Sequence, residues 1–90
     1  MELKSAKNPV ALPQVVFYTR AGCHLCDEAK VQLLLLQQRV SFQIEFVDID
    51  NDPELQARYN HEVPVIFVHG KKAFKYRLDE AQFLRKLQAG

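Results

Sequence analysis

Ninety residues suffice for one domain with a modest core and leave no length for a second. Twelve Lys and Arg against eleven Asp and Glu give a formal net charge of +1, so bulk electrostatics favour neither nucleic acid nor an anionic membrane. No run reaches the roughly 20 apolar residues of a membrane span, and 48% hydrophobic with 26% charged residues is an ordinary globular balance.

At the N-terminus, Glu2, Lys4 and Lys7 interrupt the apolar core that a secretory signal needs, so a cytoplasmic address is expected. Met1 to Pro13 contains Asn8-Pro9 and Pro13 without periodicity and reads as a flexible lead-in to a domain over 14–90. Gln14 to Thr19 is rich in β-branched and aromatic residues and predicts a buried strand. A helix is predicted from about His24 to Gln38. Phe42, Ile44 and Phe46 alternate with Gln43 and Glu45 in a second strand ending near Asp48.

Asp52-Pro53-Glu54 has the form of a helix start, with Asp as N-cap, Pro at the first helical position and an acid after it. The short helix carries Leu55 and Tyr59 at i, i+4 and should end near Asn60. A third strand, Val63 to Val68, opens on Pro64. His69-Gly70-Lys71 predicts a tight hairpin turn into a fourth strand, Lys72 to Arg77. Its lysines suit a guarded sheet edge. Asp79 to Gln82 resembles a capping box, and Leu78 and Phe83 occupy the staple positions around it. Phe83, Leu84 and Leu87 form the buried face of the last helix. The order is β-α-β-α-β-β-α, with the first two strands parallel and the last two an antiparallel hairpin. No internal repeat or low-complexity tract divides the chain.

The chemistry-bearing feature is Cys23-His24-Leu25-Cys26, which holds the only two cysteines and lies where the first strand meets the first helix. Residues i and i+3 of a helix have Cβ atoms roughly 5–6 Å apart, and a small adjustment brings them into disulfide range. The unsatisfied N–H groups and positive dipole end of the helix favour a thiolate there. Cys26, Ala29, Leu33 and Leu36 share one stripe, so Cys26 should face the sheet and Cys23 solvent. This assigns Cys23 as nucleophile and Cys26 as resolving thiol. Gly22 lets the backbone turn tightly before them.

The pair admits two other readings. A zinc site needs four ligands and usually a second cysteine pair, and His61 and His69 stand singly in other segments. No metal is therefore expected. A structural disulfide across so short a loop would constrain the unfolded chain little, and cytoplasmic thiols stay reduced unless catalytic or sensing. A lone C-x-x-C within a βαβ pattern is a redox signature.

From Val15 to Cys26, with Asp48-Ile49-Asp50 and Val63-Pro64, the chain resembles the thioredoxin superfamily and, within it, the small glutaredoxin-like branch. The resemblance covers about Gln14 to Leu87. It implies an α/β thioredoxin/glutaredoxin-like fold, a four-stranded mixed sheet flanked by helices, and a cis bond before Pro64. It further implies that the backbone N–H and C=O of Val63 dock a substrate beside the cysteines. Arg20 matches a family position usually held by Lys, which favours the thiolate and a glutathione carboxylate. His24 stands where typical glutaredoxins have Pro. It is a candidate substrate contact, with an exposed helix-start residue of no role as the other reading. Tyr76-Arg77-Leu78-Asp79 replaces the Gly-Gly segment on which the γ-glutamyl end of glutathione rests. Thioredoxins have a buried Asp on the strand before the cysteines, and Gln14 to Thr19 has none.

Arg20 and the helix N-terminus should lower the pKa of Cys23 while Asp27 and Glu28 raise it; the net expectation is a value below that of a free thiol. The activity implied is a monomeric dithiol–disulfide oxidoreductase with no bound organic cofactor. Its substrate would be a disulfide-containing protein or a glutathionylated molecule, and its electrons would come from glutathione or thioredoxin reductase. The alternatives are glutathione-dependent deglutathionylation and carriage of a [2Fe–2S] cluster.

Overall fold

Gln14–Thr19 forms β1, an inner strand on which the sheet is built, because its neighbours pair with both of its edges. The computed structural model describes residues 12–89. Gln43–Asp48 is β2, Val65–Val68 is β3 and Lys71–Lys75 is β4, and the sheet runs β2-β1-β3-β4. β1 and β2 are parallel, with Phe17 opposite Phe46; β1 and β3 are antiparallel, with Phe17 opposite Ile66; β3 and β4 are antiparallel. The helices are α1, His24–Gln37, α2, Pro53–Tyr59, and α3, Glu80–Ala89. Short 3-10 turns at Ile49–Asn51 and Asn60–Glu62 flank α2. The order β-α-β-α-β-β-α and the mixed sheet are those expected from the sequence.

Residues 1–11 of the expected lead-in lie outside the described residues. Pro13 already belongs to the sheet's surroundings, since its carbonyl accepts from the Gln43 N–H at 2.9 Å.

The two faces of the sheet are covered by different helices. Val15 and Phe17 of β1 and Ile66 and Val68 of β3 are buried on the face that meets α1 and α3. Cys26, Ala29, Leu33 and Leu36 are the buried residues of α1, the predicted stripe. Phe83 of α3 packs edge-on against Phe42, with ring centroids 5.2 Å apart. Burying each such Leu or Phe contributes about 1.5–3 kcal/mol. On the opposite face, Tyr59 of α2 stacks at 4.8 Å on Tyr18, which also meets Phe67 at 5.6 Å.

The caps follow their sequence signals. Asp52 accepts from the N–H groups of Glu54 and Leu55, and Asp79 accepts from that of Gln82. Leu78 and Phe83 are both buried.

Three boundaries differ from the sequence reading. β3 starts at Val65 rather than Val63, because Pro64 has no N–H to give the ladder; its carbonyl instead accepts from the Tyr76 N–H at 2.9 Å. The hairpin turn contains two residues, His69 and Gly70, both at positive φ (53° and 77°), so Lys71 already pairs with Val68. Positive φ at both central residues matches the twist of the flanking strands, which closes the hairpin in two residues, and the His69 Nε2, 2.8 Å from the Leu87 carbonyl, ties the turn to α3. β4 stops at Lys75, where Tyr76 enters the left-handed region at φ 71°.

Candidate functional site

β1 ends at Thr19, and Arg20-Ala21-Gly22 turns the chain into α1. Gly22 has φ 76°, a conformation that side chains rarely adopt, and it delivers Cys23 to the helix tip. Cys23 is the N-cap: its extended backbone precedes the first turn, and its Sγ accepts from the Cys26 N–H at 3.1 Å. A sulfur in that position faces the unsatisfied N–H groups of the helix, which favours negative charge on it. Cys23 and Cys26 are joined as a disulfide, with Cα atoms 5.2 Å apart. Cys26 is 1% exposed and lies in the core, whereas Cys23 is only partly covered. One sulfur is therefore reachable from outside and the other only through it.

The segment before β3 forms the opposite wall. Val63 is buried, and its carbonyl oxygen stands 3.8 Å from the Cys23 Sγ. The Val63–Pro64 peptide bond is cis. Arg20, Cys23, His24, Leu25, Asn60 and Val63 line a shallow groove of about 310 Å³ over the cysteines.

His24 is turned along the helix rather than onto the sulfur. Its side chain is 85% exposed, and its Nε2 lies 3.0 Å from the Glu28 carboxylate one turn on. The Arg20 guanidinium is engaged at the rim. Its Nε and Nη2 donate to the two oxygens of Asp50 at 3.3 and 2.7 Å, and its Nη1 donates to the carbonyl and side-chain oxygens of Asn60 at 3.1 Å each. Asp50 also accepts from Gln56 Nε2 at 2.8 Å. That hydrogen bond first, and Arg20 second, holds the Asp50 carboxyl below the usual carboxylate range. The site thus gathers Cys23, Cys26, Val63 and Pro64, with Arg20 at its edge bound to acidic and amide partners. Asp50 and Asn60 are the members that reading the sequence left without a role. Nothing in their local pattern marks them, because their partner lies 30 and 40 residues away.

A second groove, of about 360 Å³, adjoins the first across Leu25 and runs between α1 and the segment after β4, where Glu28, Gln32, Tyr76 and Arg77 line it. Among the described residues no group of three or more His, Cys, Asp or Glu is placed to hold a metal ion, and no helix is long and apolar enough to cross a membrane.

The model of the glutaredoxin-like domain (DUF836) matches residues 14–88. A glutaredoxin-like protein of Dictyostelium discoideum is 33% identical over 78 residues, covering 80% of this chain and 72% of that one. The solution NMR structure of protein Ne2328 from Nitrosomonas europaea superposes with a TM-score of 0.73 at 36% identity, covering 87% of this chain and 94% of that one. A thioredoxin variant from Halobacterium salinarum, at 17% identity, shares the fold alone, with a TM-score of 0.62 and coverage of 88% and 74%. With a family match over nearly its whole length, the chain, which has a thioredoxin-like sheet order and a cysteine pair at the tip of α1, belongs to the glutaredoxin-like domain (DUF836) family.

Proposed function

We propose that this chain is a dithiol–disulfide oxidoreductase that reduces disulfides of proteins or small molecules. The observation that carries the proposal is the asymmetry of the pair, with Cys23 accessible at a helix N-terminus and Cys26 buried directly behind it.

Beginning from the reduced pair, the Cys23 thiolate attacks one sulfur of the substrate disulfide. The substrate S–S bond breaks, one thiolate leaves and takes up a proton, and a mixed disulfide forms on Cys23. Cys26 gives up its proton and attacks the Cys23 Sγ, forming the Cys23–Cys26 disulfide and releasing the second substrate thiol. Two electrons pass from protein to substrate; one proton comes from Cys26 and the other from the solvent that took it when Cys23 ionised. The Val63 backbone beside Cys23 is the docking edge for the extended segment that carries the substrate sulfur. A thiol such as glutathione, or thioredoxin reductase, then returns the pair to the dithiol. The cycle needs no resident organic cofactor and suits a monomer in the cytoplasm, where thiol reductants are present.

A second reading, glutathione-dependent deglutathionylation, is favoured by one feature. Arg77 lines the groove that adjoins the one over Cys23, and a guanidinium fork can hold a carboxylate bidentately. Cluster carriage suits the donor set less well. A [2Fe–2S] centre takes four ligands; here it would be shared between two subunits, each giving Cys23, with glutathione completing the set, since Cys26 is buried in the core.

The test compares turnover on insulin disulfides and on a glutathionylated peptide, with glutathione plus glutathione reductase and thioredoxin reductase supplied separately. The dithiol reading expects insulin to be reduced well above the rate of the reductant alone. Turnover of the glutathionylated peptide only would transfer the assignment to the second reading.

A further inference from the structure

Arg20 joins three pieces of chain that are remote in sequence. It belongs to the turn that presents Cys23. Asp50, its first partner, lies in the 3-10 turn after β2 and is braced by Gln56 of α2. Asn60, its second partner, opens the turn that leads to Val63, and it bonds Arg20 through both its carbonyl and its side chain. Four of the five donors of a guanidinium are thereby occupied. Asn60 itself has φ 25°, a backbone setting that needs an external hold. From Asn60 the chain runs only to Val63 before its carbonyl meets the Cys23 sulfur. On the far side the same segment is anchored by the Tyr76 N–H on the Pro64 carbonyl.

We propose that Arg20 is a positioning residue: its fork clamps the Asn60–Val63 segment to the cysteine turn through Asp50 and Asn60, and so sets the distance between the docking backbone and Cys23. This rests on the oxidoreductase reading, in which that backbone holds the substrate. It differs from a role by charge, because a cation facing Asp50 has its charge matched already, while the fork geometry is needed to reach Asp50 and Asn60 together.

Two variants separate clamp from charge. Arg20→Lys keeps the charge and loses the fork. Asp50→Asn replaces one of the two oxygens that the fork grips with a donor and leaves the Arg20 charge uncompensated. The clamp expects both to lower kcat/KM on a protein disulfide by about tenfold, chiefly through KM, as loss of a binding contact does. Because both break one contact, the double variant should be little worse than the poorer single variant. Amide hydrogen exchange from His61 to Val63 should quicken in both, while the pH midpoint of Cys23 alkylation in Arg20→Lys stays at the wild-type value. Wild-type KM in Arg20→Lys, or turnover in Asp50→Asn at or above wild type, would overturn the clamp. So would unchanged exchange in both variants. The exchange measurement needs no substrate, so failure of the wild-type protein to reduce any disulfide would refute the functional reading while the clamp is still decided by exchange.

Discussion

Cys23→Ser is expected to reduce turnover on any disulfide by at least about a thousandfold, to the rate of the reductant alone, because the attacking group of the cycle is gone. A serine hydroxyl is not ionised at neutral pH and does not exchange with disulfides. The substitution is otherwise mild. Cys23 is the N-cap of α1, with its Sγ accepting from the Cys26 N–H, and serine is among the preferred residues for that duty. Losing the Cys23–Cys26 link removes a loop closure of only three residues' separation, which constrains the unfolded chain little. The circular dichroism spectrum should therefore match wild type while activity disappears. Residual activity above a tenth of wild type would place the nucleophile elsewhere.

Cys26→Ser is expected to divide the substrates. On a protein disulfide the first attack proceeds and the mixed disulfide on Cys23 accumulates, because the sulfur that would release it is missing. Turnover should fall nearly to the Cys23→Ser level, and the trapped adduct should be visible by mass under non-reducing conditions. On a glutathionylated peptide with millimolar glutathione, the external thiol can resolve the intermediate if the groove beside Arg77 holds it. The segment Tyr76-Arg77 puts two large side chains at this groove, and Tyr76 is committed through its N–H to the Pro64 carbonyl. Dependence on Cys26 is accordingly the expected result for both substrates. Full retention of the peptide activity in Cys26→Ser would favour deglutathionylation as the working reaction.

Much of this architecture is legible from local pattern. The strand before the cysteines, the helix after them and the phase that turns Cys26 inward all follow from residues close in sequence, as do the caps at Asp52 and Asp79. What escaped depends on partners brought together by folding. Nothing around Asp50 or Asn60 announces that Arg20 reaches them across 30 and 40 residues of chain, and Arg20 in isolation reads as a free charge beside a thiol. His69 reads as a plain loop residue until α3 supplies the Leu87 carbonyl opposite its ring. Phe46 shows the reverse case. Its alternation with Glu45 suggests an inward side chain, but β2 is an edge strand, and Phe46 is left 42% exposed, with Phe17 on one side and the Lys30 ammonium over its ring.

In the proposed cycle, electrons leave through Cys23 and end as a Cys23–Cys26 bond. It is tested most directly by a single turnover. Fully reduced wild-type protein is mixed with a peptide disulfide, quenched in acid at intervals and digested, and the state of each cysteine is read by mass spectrometry. An early adduct on Cys23 alone is expected, decaying as the intramolecular disulfide appears in step with release of the second peptide thiol. An adduct on Cys26, or a Cys23 adduct that persists with Cys26 still free, would contradict it.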